Sequence, residues 1–245
     1  MLDKKLSNQK DKIIIIDFGS QVTKLIARRI RELNVYCEVV TLNDFNKLKK
    51  IDDIKGIILS GGPSSVTKKK YPKISQKIFE KDIPVLGICY GLQLIAKIFG
   101  GKIKSQSSKR EFGKVEIIQK KTSELTKNFF KNKKSNVWMS HQDAVVKIPK
   151  NFVNIASTKN SKYTIIQHKK KKIFGIQFHP EVTHTENGFK IIGNFISQIC
   201  NSKKNWIIGS EKKRIINELK KEIKNEKVIC ALSGGVDSSV VAVLI

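Results

Sequence analysis

Apolar residues along this chain fall into short blocks whose spacing switches between strand-like and helix-like periods. Residues 13–17 form a continuous apolar run closed by Asp17 and predict a buried strand. Residues 21–33 carry Val22, Leu25, Ile26, Ile30 and Leu33 at helical spacing. Strands follow at 35–41 and 56–60, the second ending in the turn Gly61-Gly62-Pro63; a helix is predicted over 71–81. Residues 85–88 then read as a strand and 92–99 as a helix stopped by Gly100-Gly101. Alternation of this kind predicts a mostly parallel sheet covered by helices. Strand-like blocks at 115–118, 136–139, 152–157, 163–167 and 173–178 precede a helix at 188–200. A polar helix from Trp206 to about Lys224, a strand at 227–232 and a helix at 238–245 complete the chain, with a domain boundary predicted near 203–205.

Two turns between these elements carry candidate chemistry. Gly87-Ile88-Cys89-Tyr90-Gly91 has a nucleophile between two glycines, with a strand before and a helix after. Small flanking residues relieve the crowding of so tight an elbow, and a thiol facing a helix N-terminus is favoured as thiolate. The N–H of Tyr90 and an N–H of the Gly61-Gly62 turn are the expected oxyanion donors. A cysteine nucleophile needs a base and the base an orienting group; Phe178-His179-Pro180-Glu181 supplies both at the end of a predicted strand. His168 and His184 read as structural. The second turn, Ser233-Gly234-Gly235-Val236-Asp237-Ser238-Ser239, opens the last helix, where N–H groups and the helix dipole favour a polyanion. It has no lysine, which excludes the Walker pattern and leaves hydroxyls, amides and Asp237, a candidate Mg²⁺ partner, to hold phosphate.

Composition changes this picture little. The 245 residues are 40% hydrophobic and 28% charged, a globular balance, with a formal net charge of +27. Arginine is confined to Arg28, Arg29, Arg31, Arg110 and Arg214, whereas bidentate phosphate and base contacts favour arginine over scattered lysine, so nucleic acid is not the expected partner. Residues 1–11 hold no signal-peptide core and no run reaches the roughly 18 apolar residues of a membrane helix; the expected location is the cytoplasm. Four cysteines, at 37, 89, 200 and 230, lack the short paired spacing of a zinc site, and all but Cys89 read as inert core thiols.

Taken together, Asp17-Phe18-Gly19-Ser20-Gln21, Leu59-Ser60-Gly61-Gly62-Pro63, the Cys89 elbow, Trp138-Met139-Ser140-His141 and the block from Phe178 to Thr185 resemble the class I glutamine amidotransferase part of the GMP synthetases. The loop 233–239 resembles that family's ATP-pyrophosphatase motif. The resemblance implies a flavodoxin-like amidotransferase domain at 12–205 and, at 206–245, the start of an adenine-nucleotide α-hydrolase-like unit. It implies Cys89, His179 and Glu181 as a catalytic triad, Gly62 and Tyr90 as the oxyanion site, and Gly61, Gln93, Ser140 and His141 as glutamine contacts. Ser233, Gly234, Gly235, Val236, Asp237, Ser238 and Ser239 would bind ATP with Mg²⁺, and the glutaminase step would need no cofactor. The substrates implied are glutamine, XMP and ATP, in a homodimer or with a separate synthetase subunit. The family continues well beyond the glycine loop, so these 245 residues are expected to act as a glutaminase only. Alternatives are another class I amidotransferase, a stand-alone cysteine hydrolase, or a basic remnant that binds polyanions. Two residues depart from the family pattern: Val22, where an aromatic is usual, and Gln142, where glycine is usual and a positive φ would strain a side chain.

Overall fold

In the computed structural model, which describes residues 11–48, 53–105 and 110–245, the chain separates into two compact units, residues 1–204 and residues 205–245. The first unit contains β1 (Lys12–Asp17), α1 (Thr23–Glu32), β2 (Cys37–Thr41), α2 (Leu42–Asn46), β3 (Ile54–Leu59), β4 (Val85–Ile88), α3 (Tyr90–Ile98), β5 (Lys102–Ser105) and β6 (Glu111–Gln119). It continues through β7 (Lys134–His141), β8 (Asp143–Lys147), β9 (Phe152–Ser157), β10 (Ile165–His168), β11 (Ile173–Ile176) and α4 (Gly188–Gly193), which runs on as one wider helical turn over Asn194–Ile199.

Nine strands make one sheet in the order β2-β1-β3-β4-β11-β10-β9-β6-β7. The segment from β2 to β11 is parallel, and the other strands extend it antiparallel. The isoleucine run of β1 shows why the parallel part reads as continuously apolar: both of its faces are covered. Ile13 and Ile15 pack with Ile26, Ala27 and Ile30 of α1 and with Ile191, Ile192, Phe195 and Ile199 of the α4 region. Ile14 and Ile16 point the other way, into a cluster with Leu92, Ile95 and Ala96 of α3 and with Ile78 and Phe79. β5 and β8 form a separate antiparallel pair. Each is short, four residues in β5 and five in β8, and neither entered the periodicity reading.

The predicted helix over 71–81 is absent; a single 3₁₀ turn, Gln76–Phe79, stands in its place. Pro72 biases Tyr71 away from helical geometry, and one turn capped by Ser75 is enough to bury Ile78 and Phe79. Their spacing with Ile74 produced the helical signal.

The second unit holds α5 (Ile208–Ile223) and α6 (Val236–Leu244). The predicted strand at 227–232 does not form. A strand needs hydrogen-bonding neighbours for its backbone, and no described residue pairs with this segment; Ile229 is 98% exposed. Cys230, expected in a core, is exposed as a consequence. No helix among the described residues is long and apolar enough to cross a membrane.

Candidate active site

The parallel strands β3, β4 and β11 deliver the site at their C-terminal ends, where the chain leaves the sheet. Cys89 follows β4 directly and is the residue before α3, with φ +51° and ψ −102°. A side chain held at positive φ is strained and persists only where its surroundings fix it. Here Cys89 N–H donates to Ile176 O at 2.7 Å, and Gln93 N–H donates to Cys89 O at 3.2 Å. The elbow also needs its flanking glycines: a Cβ on Gly87 would lie 2.5 Å from the carbonyl carbon of Gly91, and one on Gly91 would lie 2.4 Å from Leu59 O. Helix α3 therefore starts in backbone contact with the sheet, and the thiol stands at its N-terminus.

His179 lies just beyond β11, and its Nδ1 meets Glu181 Oε1 at 2.8 Å; Glu181 is buried. Burial alone works against a charged imidazole. Hydrogen bonds with Cys89 and Glu181, and the charges of those two groups, outweigh it and push His179 up from about 6.5 to about 10. The loop carrying the pair is fixed from several sides. His179 N–H donates to Trp138 O at 3.1 Å, and Thr185 Oγ1 donates to His179 O at 2.6 Å while accepting from Trp138 N–H at 3.0 Å. Arg29 Nε donates to Glu181 O at 3.1 Å. Arg29 and Thr185 were not assigned roles from sequence, although Thr185 belongs to the block that carried the resemblance.

A cleft of about 310 Å³ opens beside Cys89, lined among others by Gly62, Tyr90, Gln93, Ser140 and His141. Gly61 lies behind the site: a Cβ placed on it would come 3.3 Å from His179 Cε1 and 3.7 Å from Cys89 Cβ. The Tyr90 hydroxyl, which burial holds protonated above its usual range, donates to Pro72 O at 2.6 Å, leaving the Tyr90 backbone at the helix start beside Cys89. Gln93 is buried rather than exposed and donates through Nε2 to Asp143 O at 2.9 Å. His141 Nε2 pairs with Glu111 Oε2 at 3.1 Å, and Glu111 Oε1 accepts from Thr158 Oγ1 at 2.6 Å. Ser140 meets Cys89 through its backbone, with O at 3.7 Å from Sγ. His168 packs between Phe99 and Phe152, and His184 against Trp138. Sequence reading passed over Gln177, whose Nε2 lies 3.6 Å from Cys89 Sγ.

A thiol on a strained elbow that opens to a cleft, hydrogen-bonded to a carboxylate-backed imidazole, can perform acyl transfer through a covalent thioester. Residues 14–199 match the family described as class-I glutamine amidotransferase. The chain belongs to that family. Among curated amidotransferase relatives, the glutamine-hydrolysing GMP synthase of Brachyspira hyodysenteriae is 48% identical over 98% of this chain, and that of Caldanaerobacter subterraneus subsp. tengcongensis is 46% identical over 97%. In both cases the chain spans 46% of the relative's length, about half. A solved structure described as a GMP synthase subunit from Thermoplasma acidophilum is 30% identical, with a TM-score of 0.68 over 85% of this chain and all of that one. A glutamine amidotransferase of Thermotoga maritima, at 19% identity, shares the fold with a TM-score of 0.61, covering 97% of this chain and 95% of its own.

The glycine loop lies outside the part of the chain matched to the amidotransferase family. Gly234 has φ +80°, Ser238 Oγ and Ser239 Oγ donate to Gly235 O at 3.0 and 2.9 Å, and Ser233 Oγ accepts from Gly235 N–H at 3.4 Å. Val236 and Asp237 begin α6, which has no side-chain cap. No described residues form a cluster of three or more His, Cys, Asp or Glu with Asp237 or elsewhere. Among the described residues, side chains alone do not supply three such ligands at this loop.

Val22 precedes α1 and takes no part in the cleft; its N–H donates to Ser20 Oγ at 3.3 Å. Gln142 is exposed at the cleft and is not among the described residues with positive φ, so the strain expected of a side chain there does not arise.

Proposed function

We propose that the first unit hydrolyses glutamine and that the ammonia serves GMP synthesis from XMP and ATP. The observation that carries this reading is the hydrogen bond between Cys89, on its positive-φ elbow, and His179, whose Nδ1 lies 2.8 Å from Glu181 Oε1. The thiolate of Cys89 attacks the side-chain amide carbon of glutamine. Charge developing on the amide oxygen is met by the N–H groups of Tyr90 and Gly62. His179, held charged, gives its proton to the departing nitrogen, and ammonia leaves a glutamyl thioester on Cys89. His179 then takes a proton from water as the water attacks the thioester, so that glutamate is released and the thiolate returns. Gln93, Ser140 and His141 border the bound glutamine, and Gly61 backs the site behind Cys89 and His179. Gln93 and His141 act chiefly by shaping the cleft, since Gln93 Nε2 and His141 Nε2 are engaged by Asp143 and Glu111.

The domain division follows the same reading, with the amidotransferase at 12–205 and the beginning of an ATP-pyrophosphatase domain at 206–245. In it, Ser233–Ser239 would hold the pyrophosphate of ATP, whose Mg²⁺ arrives with the substrate. The names of the relatives and the N–H groups at the start of α6 support this part. The whole enzyme would be cytoplasmic, and either a homodimer or an amidotransferase working with a separate synthetase subunit.

The test is ammonia release from glutamine by the 245-residue polypeptide and by Cys89→Ala, with GMP assayed in parallel on adding XMP, ATP and Mg²⁺. We expect ammonia that depends on Cys89, lost by at least about 10³-fold in the variant, and no GMP from these residues alone. Ammonia release that survives Cys89→Ala would remove the nucleophile assignment. GMP formation by the polypeptide would overturn the proposal that these 245 residues carry the glutaminase step without the synthetase step.

A further inference from the structure

We propose that Gln177 is a positioning residue for Cys89, fixing the sulfur toward His179 and donating the hydrogen bond that a thiolate accepts. The inference rests on Cys89 as a nucleophile but not on glutamine as its substrate. Gln177 is fully buried, and its Nε2 lies 3.6 Å from Cys89 Sγ. Its Oε1 has no hydrogen-bond partner among the described residues. The backbone around it is held firmly, with Gln177 N–H donating to Thr164 O at 2.9 Å and the adjacent Ile176 O accepting from Cys89 N–H at 2.7 Å. Thus the strand that pins the elbow also aims the amide.

A buried amide with an unpaired oxygen is unfavourable, and an apolar side chain of like volume would fill the same space without that cost. What the amide adds is an N–H directed at sulfur. A neutral thiol is a weak acceptor and a thiolate a strong one, so the donor favours the charged form. The opposing contact is Ser140 O, an acceptor 3.7 Å from Sγ that favours the protonated thiol. His179, with Glu181 behind it, faces the sulfur from the loop after β11, while Lys68, His141 and Asp143 line the adjoining cleft. Gln177 and the Ser140 carbonyl are neutral, so neither contribution titrates.

The experiment is the rate of Cys89 alkylation by iodoacetamide across roughly pH 5–10. It is made in a Cys230→Ser background because Cys230 is exposed, whereas Cys37 and Cys200 are buried with their thiols pushed up, Cys37 to about 11. Gln177→Met keeps the volume and removes the donor; Gln177→Glu keeps the shape and turns an acceptor toward sulfur. We expect the alkylation midpoint to rise by about one pH unit in Gln177→Met and further in Gln177→Glu. The kcat for glutamine should fall about tenfold in Gln177→Met, with KM changed less than about threefold. An unmoved midpoint in a folded variant, or a raised KM at constant kcat, would overturn the proposal. So would failure of both variants to fold, which would make Gln177 a packing residue. If the parent protein releases no ammonia yet the midpoint still shifts with Gln177, the positioning role stands and glutamine as substrate falls.

Discussion

The Cys89 elbow and the glycine loop at 233–239 are written in nearly the same local grammar, an apolar run, a turn rich in small residues and an apolar helix, yet they have opposite fates. At the elbow the run becomes β4, hydrogen-bonded between β3 and β11, and α3 is buried along almost its whole length. At the loop the run forms no strand, and α6 buries none of its residues. Val236 is 79% exposed and Val243 74%. The difference lies in neighbours. A turn acquires a strained, aimed geometry when flanking elements over-determine it, and Cys89 keeps φ +51° because sheet and helix leave it no alternative. The loop's serines satisfy one another and Gly235 locally, which orders a turn but does not aim it at anything.

Alanine at one glycine in each turn breaks the comparison most sharply. A Cβ on Gly91 would meet Leu59 O at 2.4 Å and Leu59 Cβ at 2.8 Å, backbone against sheet, with no flexible side chain to yield. Gly91→Ala should destabilise the first unit by about 3 kcal/mol, lowering its melting temperature by roughly 6–12 °C, and should abolish ammonia release. Gly234 has nothing within 4 Å of such a Cβ, and only its φ of +80° opposes a side chain. Gly234→Ala should cost about 1 kcal/mol locally and leave both the first unit's melting and its ammonia release unchanged. Thermal melts followed with the ammonia assay read both; equal losses in the two variants would mean that the turns are supported alike.

The same contrast explains what could be read from sequence. In the first unit the isoleucines of β1, the strand before Cys89 and the helices flanking it were legible because their periodicity is the burial pattern itself. The meeting of Cys89 with His179 and Glu181 was legible because Cys89 and His179 each follow a parallel strand, and such strands bring their ends together. The false helix at 71–81 and the false strand at 227–232 arose where an apolar spacing was satisfied by one short turn or by no partner. Gln177 and the Glu111–His141 pair were missed for a different reason. A polar residue beside an apolar run carries no periodic signal, and its partner is known only when distant segments meet.

The imidazole offers a smaller, graded effect within the first unit. Because the folded pKa of His179 is raised, its charged form is bound more tightly in the folded chain than in the unfolded one. The stability this supplies is complete below about pH 6.5 and is lost as pH rises through about 10. Glu181→Gln removes one of the charges responsible. We expect its melting temperature to fall less than that of the parent between pH 8 and 10, and glutamine hydrolysis at pH 7 to drop roughly 10²-fold. Parallel loss of stability with pH in both proteins would show that Glu181 orients His179 without holding its charge. The glycine loop carries no histidine, so its unit should contribute nothing to this difference.

The smallest effect is expected at Gln142, and its sign is the informative part. The resemblance places glycine here, so a side chain would be strained if the backbone required a positive φ, and Gln142→Gly would then stabilise the protein by about 1 kcal/mol. Gln142 is not among the described residues with positive φ, and its side chain is exposed. Glycine should instead loosen the unfolded chain and lower stability by about 0.5 kcal/mol, with the kcat for glutamine within about twofold of the parent. A melting temperature that rises in Gln142→Gly would show a strained backbone at the cleft. A fall would mean that, unlike Cys89, this position reaches its geometry in a backbone region that any residue can occupy.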